Sequence, residues 1–174
     1  MTAPELHRIV IDSPVGPLTL VASAAGLRAV LWPDDDTTRV PDVDGVGDDA
    51  APLTVKAILD RTEQQLREYF DGTRTEFDLP LDPVGTEFQH EAWAALRAIP
   101  YGETVSYGEQ AERMGDRNKA RAVGAANGRN PISIIVPCHR VVGSSGSLTG
   151  FAGGVDTKRR LLDHERRVAG RSLL

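Results

Sequence analysis

The segment from Asn130 to Val142, Asn-Pro-Ile-Ser-Ile-Ile-Val-Pro-Cys-His-Arg-Val-Val, constrains the fold of this chain more than any other. Its apolar residues predict a buried backbone, and Pro137 stops any regular strand. Cys138, the only cysteine in the sequence, is therefore expected where a buried segment turns. Because successive side chains of an extended chain point to opposite faces, Cys138 and His139 can act together only if the backbone bends after Pro137. A Cys138 that serves only as a small buried hydrophobe fits this local sequence equally well.

Composition and charge bound the class of protein. The 174 residues suffice for one domain or two small ones, and a single cysteine excludes an internal disulfide. The first thirty residues show neither a signal peptide nor an apolar run of membrane-spanning length, which predicts a soluble cytoplasmic protein. The net charge of −5 is unevenly distributed: residues 1–105 hold 8 Lys and Arg against 19 Asp and Glu, and residues 106–174 hold 12 against 6. The basic C-terminal part is a candidate for nucleic-acid binding.

The N-terminal part has the pattern of a small antiparallel sheet covered by one helix. Three strand-like segments rich in Val, Ile and Leu, separated by short turns, are 6–11, 18–22 and 27–32. The acidic, Pro- and Gly-rich residues 34–51 predict a solvated loop, and apolar residues at helical spacing over 55–70 predict the helix. No His, Cys or carboxylate cluster here has the spacing of a catalytic or metal site. We therefore expect a structural domain over residues 1–81.

A second, mainly helical unit is expected over residues 82–174. Thr86 is placed to cap a helix, and two short helices over 107–114 and 118–127 are joined by a tight glycine turn, which is a helix-turn-helix pattern. The second of them carries Arg121 among Ala and Gly residues. Small side chains permit close approach to a nucleic acid. They equally permit tight packing against another helix, and Arg121 is then a solvated charge.

A permissive loop follows the cysteine segment. Residues 142–154 contain five glycines, so their backbone can wrap a flat ligand, or it can serve as a flexible connector. Leu148 and Phe151 within it favour a packed loop.

Glu165 belongs to the apolar side of the final helix. Leu161, Leu162 and Val168 lie three or four residues from it and define that side. A buried carboxylate needs a partner because an unpaired charge away from water is costly. His139 and Arg140 are the two candidates.

These residues together resemble the O6-alkylguanine-DNA alkyltransferase family of DNA-repair proteins. The strongest match is Asn130-Pro131 with Ile135-Val-Pro-Cys-His-Arg-Val-Val142, the signature around the family's acceptor cysteine. Supporting matches are Phe88-Gln89, Pro100-Tyr-Gly-Glu-Thr-Val-Ser-Tyr107, Ala120-Arg-Ala-Val-Gly124 and Lys158 through Leu162 to His164-Glu165. The resemblance implies an α/β (α+β) chain, with a ribonuclease H-like sheet-and-helix domain followed by a winged-helix-type DNA-binding and catalytic domain.

The resemblance also implies a reaction. Cys138 would take a methyl or larger alkyl group from O6-alkylguanine in DNA, directly and irreversibly, with O4-alkylthymine as a further candidate substrate. His139 would accept the thiol proton through a water, and Glu165 would orient the imidazole. Asn130 would bridge the recognition helix to the cysteine segment. The protein would act once and use no cofactor.

Double-stranded DNA is the implied partner, bound in the minor groove with the target nucleotide extruded. Arg121 would enter the base stack and Tyr107 would crowd the adjacent phosphate. Small residues that fit a groove about 6 Å wide are Ala120, Ala122, Gly124 and Ala125. The implied substrate pocket consists of Tyr107, Val141, Phe151, Ala152 and Lys158. We expect a monomer in solution, with cooperative assembly on DNA left open.

Two residues depart from the family pattern: Ala152 stands where some members have a serine that donates to the guanine O6, and Phe151 where several have tyrosine. No metal is expected, since the N-terminal half lacks the cysteine ligands of some members' zinc site.

Three other functions compete with alkyl transfer. A non-catalytic damage sensor of this type would lack Cys138, a winged-helix regulator would not need Cys138 with His139 and Glu165, and a cysteine hydrolase would not need the DNA-binding features.

Overall fold

The computed structural model describes residues 5–47 and 50–172, and side chains as far as residue 170. It divides the chain into two compact units, Met1–Val84 and Gly85–Leu174. In the first unit, β1 (His7–Ile11), β2 (Leu18–Ser23) and β3 (Gly26–Leu31) pair as an antiparallel meander in that order, as predicted. Helix α1 (Leu53–Asp71) packs against all three strands through its apolar face. This unit therefore has the expected sheet-and-helix form.

The acidic segment 34–51 is mostly exposed, as its composition predicts, but three buried residues anchor it; residues 48 and 49 of the segment lie outside the described residues. A 3-10 helix, Thr37–Arg39, is followed by Val40 and Val43, which are buried in a cluster with Val21, Ala29 and Leu31. Arg39 is also buried, and its Nε donates to Asp35 Oδ1 at 2.8 Å. Two apolar side chains three residues apart thus anchor the segment, although acidic residues surround them.

Asp82, expected at the start of the second unit, is held in the first. Its carboxylate accepts a hydrogen bond from Ser23 Oγ at 2.6 Å and one from Arg28 Nη2 at 2.9 Å. The Asp82 backbone N–H also donates to the Leu27 carbonyl at 2.8 Å, so the chain follows the outer edge of β3. These contacts keep the segment with the sheet as far as Val84.

The second unit is mainly helical. Its elements are α2 (Glu87–Arg97), β4 (Val105–Ser106), α3 (Tyr107–Arg113), α4 (Ala120–Gly128), β5 (Val141–Val142) and α5 (Val155–Ser172). Capping boxes start two of these helices: Thr86 with Gln89 at α2, as predicted for Thr86, and Ser106 with Glu109 at α3. The parallel pairing of β4 with β5 was not predicted.

Buried hydrogen bonds fix the position of α4 between α2 and α3. Trp93 Nε1 donates to the Ala126 carbonyl at 2.9 Å. The side-chain amides of Gln110 and Asn127 bond each other reciprocally, at 2.8 and 3.1 Å. Because buried amides are costly to leave unpaired, these bonds select one rotation of α4 about its axis.

Two kinds of feature are missing from the described residues. Between residues 5 and 172, apart from 48 and 49, no helix is long and apolar enough to cross a membrane. The same part of the chain holds no group of three or more His, Cys, Asp or Glu side chains that could bind a metal ion.

Candidate active site

The cysteine segment forms buried turns and ends in a sharp bend. Residues 131–137 are buried without forming a strand, and Ile134 has a φ of 74°. This left-handed conformation is strained for a β-branched residue, at a cost of about 1–3 kcal/mol. A 3-10 helix, Cys138–Arg140, begins directly after Pro137, which confirms the predicted bend. Cys138 is half-buried between fully buried neighbours, so its thiol is sheltered and reachable.

Asn130 ties the end of α4 to this bend. Its backbone N–H donates to the Asn127 carbonyl at 3.1 Å. Its side chain donates from Nδ2 to the Val136 carbonyl at 2.8 Å and accepts from the Ile132 N–H at 3.0 Å. A movement of α4 is therefore transmitted to the backbone two residues before Cys138.

Glu165 pairs with both of the partners considered for it. Its Oε2 lies 2.6 Å from His139 Nε2, and its Oε1 accepts from Arg140 Nε at 2.8 Å. His139 and Glu165 have no exposed surface, and Arg140 is nearly buried. Arg140 Nη2 at 3.2 Å from Oε2 and the Gly102 N–H at 3.3 Å from Oε1 are further donors to this carboxylate. The site is therefore a buried triad of one anion, one permanent cation and an imidazole.

The charge states follow from this arrangement. Burial alone would raise the pKa of Glu165, but His139 and the Arg140 guanidinium hold it well below its usual value, so the carboxylate is ionised. Burial lowers the pKa of His139, against the raising influence of Glu165, so the imidazole is neutral near pH 7. An ionised carboxylate can only accept, so His139 Nε2 carries the hydrogen and Nδ1 has the lone pair. His139 Nδ1 has no hydrogen-bond partner among the described residues.

One pocket brings Cys138 together with five predicted site residues. Its lining is Tyr107, Gly124, Asn127, Gly128, Asn130, Ser133, Cys138, Gly150, Phe151 and Ala152. Two residues expected there lie elsewhere: Val141 is fully buried in β5, where it pairs with Val105, and Lys158 is buried beneath the glycine-rich loop. The pocket is thus formed between the loop, the α4 end and the cysteine bend.

The glycine-rich loop is fastened at Thr149. The hydroxyls of Tyr107 and Thr149 are hydrogen-bonded at 3.1 Å, and Lys158 Nζ donates to the Thr149 carbonyl at 3.1 Å. Lys158 Nζ also lies 6.0 Å from the centre of the Tyr107 ring. Burial lowers the pKa of Lys158, and negative charge on Cys138 opposes this effect. The loop is therefore anchored at Thr149, with Leu148 and Phe151 half-buried, while most of its other residues are exposed.

Helix α4 has one packed face and one open face. Val123, Ala126 and Asn127 are buried, whereas Arg121, Ala122 and Ala125 are exposed. The predicted contact residues Ala120 and Gly124 are half-buried, and the Tyr107 ring lies beside Gly124. Tight helix packing thus explains the small side chain of Ala126. Arg121 and the small residues of the open face are not used in that packing, so a partner can contact them.

Comparison with known proteins decides the family. The chain matches the ribonuclease-like domain of 6-O-methylguanine DNA methyltransferase over residues 6–83 and the DNA binding domain of the same protein over residues 87–167. The chain belongs to the 6-O-methylguanine DNA methyltransferase family. These two domains correspond to the sheet-and-helix unit and the helical unit described above, which confirms the predicted fold class.

Relatives from this family align along nearly the whole chain. The methylated-DNA–protein-cysteine methyltransferase of Mycobacterium tuberculosis is 47% identical, with 92% of this chain and 93% of that protein covered. The protein of the same name from Methanosarcina acetivorans is 43% identical, covering 92% and 98%. The crystal structure of M. tuberculosis OGT in complex with DNA superimposes with a TM-score of 0.82 at 46% identity, covering 93% and 94%.

Sequence reasoning did not identify three features of this methyltransferase-family site. Ser133 and Asn127 line the pocket, although neither was singled out. Thr149 fastens the loop to Tyr107, and only its position among glycines distinguishes it in the sequence. The polar residue Ser133 inside an apolar run is the one signal that could have been noticed.

Proposed function

We propose that this protein repairs DNA by transferring an alkyl group from the O6 atom of guanine to the Cys138 sulfur, once per molecule. The observation that carries the proposal is the reachable Cys138 thiol, which lines a pocket and directly precedes His139, whose imidazole is paired with the buried Glu165. Membership of a family whose relatives are named methylated-DNA–protein-cysteine methyltransferases supports the same reaction.

The reaction begins with removal of the thiol proton. Only a few per cent of an ordinary cysteine is ionised near pH 7, so a base is needed. His139 is neutral and has its lone pair on Nδ1, which suits it to take the Cys138 proton through one water. Glu165 then stabilises the imidazolium, and the nearby Lys158 ammonium favours negative charge on Cys138.

Transfer itself is a single displacement. The Cys138 thiolate attacks the alkyl carbon, so that an S–C bond forms while the bond from carbon to O6 breaks. The electron pair of the broken bond stays with guanine, and the proton taken by His139 is returned to guanine N1 through water. The products are a thioether at Cys138 and unmodified guanine. A thioether has no good leaving group, so the protein is consumed.

The target base must leave the DNA duplex to reach Cys138. Extrusion costs a few kcal/mol, about what unstacking and unpairing one base requires. The exposed Arg121 is suited to fill the gap, and the small side chains beside it permit entry into the minor groove. Tyr107, which lines the pocket, is suited to hold the extruded nucleotide.

The pocket's polar groups limit how O6 is recognised. Ala152 offers no side-chain donor, and Phe151 has no hydroxyl, so the loop backbone and Tyr107 are left to polarise the guanine. O6-alkylguanine in double-stranded DNA is the substrate that we propose, with O4-alkylthymine as a secondary one. A monomeric state in solution, cooperative assembly on DNA and a cytoplasmic location stay predictions.

One experiment separates this function from a damage sensor, a transcription regulator and a cysteine hydrolase. The protein is incubated with duplex containing O6-methylguanine, and its peptides are mapped by mass spectrometry. A methyl group on the peptide with Cys138, absent in Cys138→Ser, supports the proposal. Tight binding of the duplex without methylation indicates a sensor or a regulator, and repeated release of a hydrolysed product indicates a hydrolase.

A further inference from the structure

We propose that Arg140 is a positioning residue for alkyl transfer, which holds Glu165 so that His139 keeps its hydrogen on Nε2 and its lone pair on Nδ1. This inference rests on the function proposed above. It assigns a role in the reaction to a side chain that does not line the pocket.

The Arg140 guanidinium is fixed on three sides. Its Nε donates to Glu165 Oε1 at 2.8 Å, its Nη2 to Glu165 Oε2 at 3.2 Å, and its Nη1 to the Ile99 carbonyl at 2.8 Å. Its central carbon lies 5.5 Å from the centre of the Tyr101 ring. A planar guanidinium held in this way presents two parallel donors to a carboxylate, which a lysine cannot reproduce.

These hydrogen bonds from Arg140 determine where the protons of His139 and Glu165 lie. Without Arg140, no cation balances the Glu165 carboxylate. The buried pair of His139 and Glu165 therefore binds an additional proton more readily. If that proton stays on the imidazole, Nδ1 is protonated. If it moves to Glu165, the carboxylic acid donates to Nε2, and the hydrogen of the neutral imidazole must again lie on Nδ1. Both outcomes remove the lone pair that faces away from Glu165.

The other groups around His139 do not replace this effect. Lys158 is the second cation, and Arg140 and Lys158 both lower the pKa of His139, whereas Glu165 raises it. Burial and the nearby Glu165 raise the pKa of Tyr101 to about 12, so its phenol stays neutral. Cys138 begins the reaction as a thiol. Arg140 is therefore the cation that directly offsets the charge of Glu165.

Two substitutions test the role of Arg140. Arg140→Met removes the charge, and Arg140→Lys keeps the charge but loses the paired donors. Arg159→Met is the matched control, because Arg159 is an exposed arginine of α5. The rate of alkylation of Cys138 by free O6-benzylguanine is measured from pH 5 to 9, and the protonation of His139 Nδ1 is followed by ¹⁵N NMR of histidine-labelled protein. Free base avoids any contribution from DNA binding.

We expect Arg140→Met to move the titration of Nδ1, and with it the acid limb of the rate profile, upward by about one pH unit. On that limb this is about a ten-fold lower rate. Arg140→Lys should move both curves by less, and Arg159→Met should leave them unchanged. Should Arg140→Met fail to fold, Arg140→Lys still tests the inference, since the lost paired donors must shift both curves.

Curves of Arg140→Lys and of folded Arg140→Met that coincide with those of the unsubstituted protein would overturn the positioning role. Failure of the proposed function looks different, because the unsubstituted protein would then leave Cys138 unalkylated with duplex containing O6-methylguanine as well as with the free base, while the NMR titration could still be recorded.

Discussion

The hydroxyl groups of Tyr107 and Thr149 are hydrogen-bonded at 3.1 Å, joining the first residue of α3 to the glycine-rich loop. Tyr107 and Gly150, which follows Thr149, both line the pocket that contains Cys138. Tyr107 belongs to a segment that matches the family, whereas Thr149 was not predicted as a site residue.

Thr149→Val removes this hydrogen bond while keeping the shape of the side chain. A typical hydrogen bond contributes about 1 kcal/mol net, so we expect the rate of Cys138 alkylation by O6-benzylguanine to fall by about five-fold. Thr149→Ser keeps the hydroxyl and should react at nearly the original rate. Equal rates for both variants would show that the bond does not organise the loop. Thr149 is exposed, so the melting temperature should change little in either case.

Arg121→Ala tests extrusion of the base. Arg121 is exposed on the open face of α4, away from the buried triad. Repair of O6-methylguanine in duplex DNA should slow by at least ten-fold, because only the duplex needs a side chain to fill the stack, whereas reaction with O6-benzylguanine should be unaffected. Arg166→Ala, an exposed arginine of α5, is the control. Equal losses on both substrates would contradict the role of Arg121.

Much of this site could be predicted because its signals are local. The spacing of Glu165 from Leu161 placed its carboxylate on the buried side of α5, and Pro137 located the bend. From the sequence, His139 and Arg140 were alternative partners of Glu165. The structure shows that the two carboxylate oxygens together bind both of them, which the sequence pattern does not reveal.

The features that the sequence did not predict also have specific causes. Strands β4 and β5 have two residues each and pair across a long stretch of chain, so no periodicity reveals them. Val40 and Val43 are buried within a segment whose average composition is acidic. In both cases, contacts distant in sequence outweigh local composition.

Glu165→Gln tests the charge of the triad. The variant should fold, because glutamine keeps the shape, but alkyl transfer should slow by about ten-fold or more, since a neutral amide stabilises the imidazolium poorly. Full activity of the variant at pH 7 would show that Glu165 has a purely structural role. Asp163→Asn, an exposed carboxylate on the same helix, is the control.

Stability should fall with acid in two stages. The pKa of His139 is lowered in the folded protein, so its unfolded form binds more protons and stability decreases as pH falls below about 6.5. The pKa of Glu165 is also lowered, so its contribution is complete above about pH 4.3 and is lost as pH falls further. Urea unfolding at several pH values should show both stages, and Glu165→Gln should lack the second. An unchanged acid profile in that variant would contradict the assigned charge.

Alkylation should weaken the packing around the bend. A methyl group added to the half-buried Cys138 must displace neighbours, and overpacking costs about 1–3 kcal/mol. The bond from Asn130 Nδ2 to the Val136 carbonyl, two residues before Cys138, is the contact that we expect to give way. We expect the methylated protein to melt several degrees lower than the unmodified one. An unchanged melting temperature would show that the site holds the methyl without strain.

The most direct test of the account is a titration of fixed protein with increasing duplex that contains O6-methylguanine. Repaired DNA and methylated Cys138 are quantified in the same samples. The account predicts that both rise together and stop at one equivalent of repaired guanine per protein molecule. Repair that continues well past equivalence, or repair without a methyl group on Cys138, would contradict it.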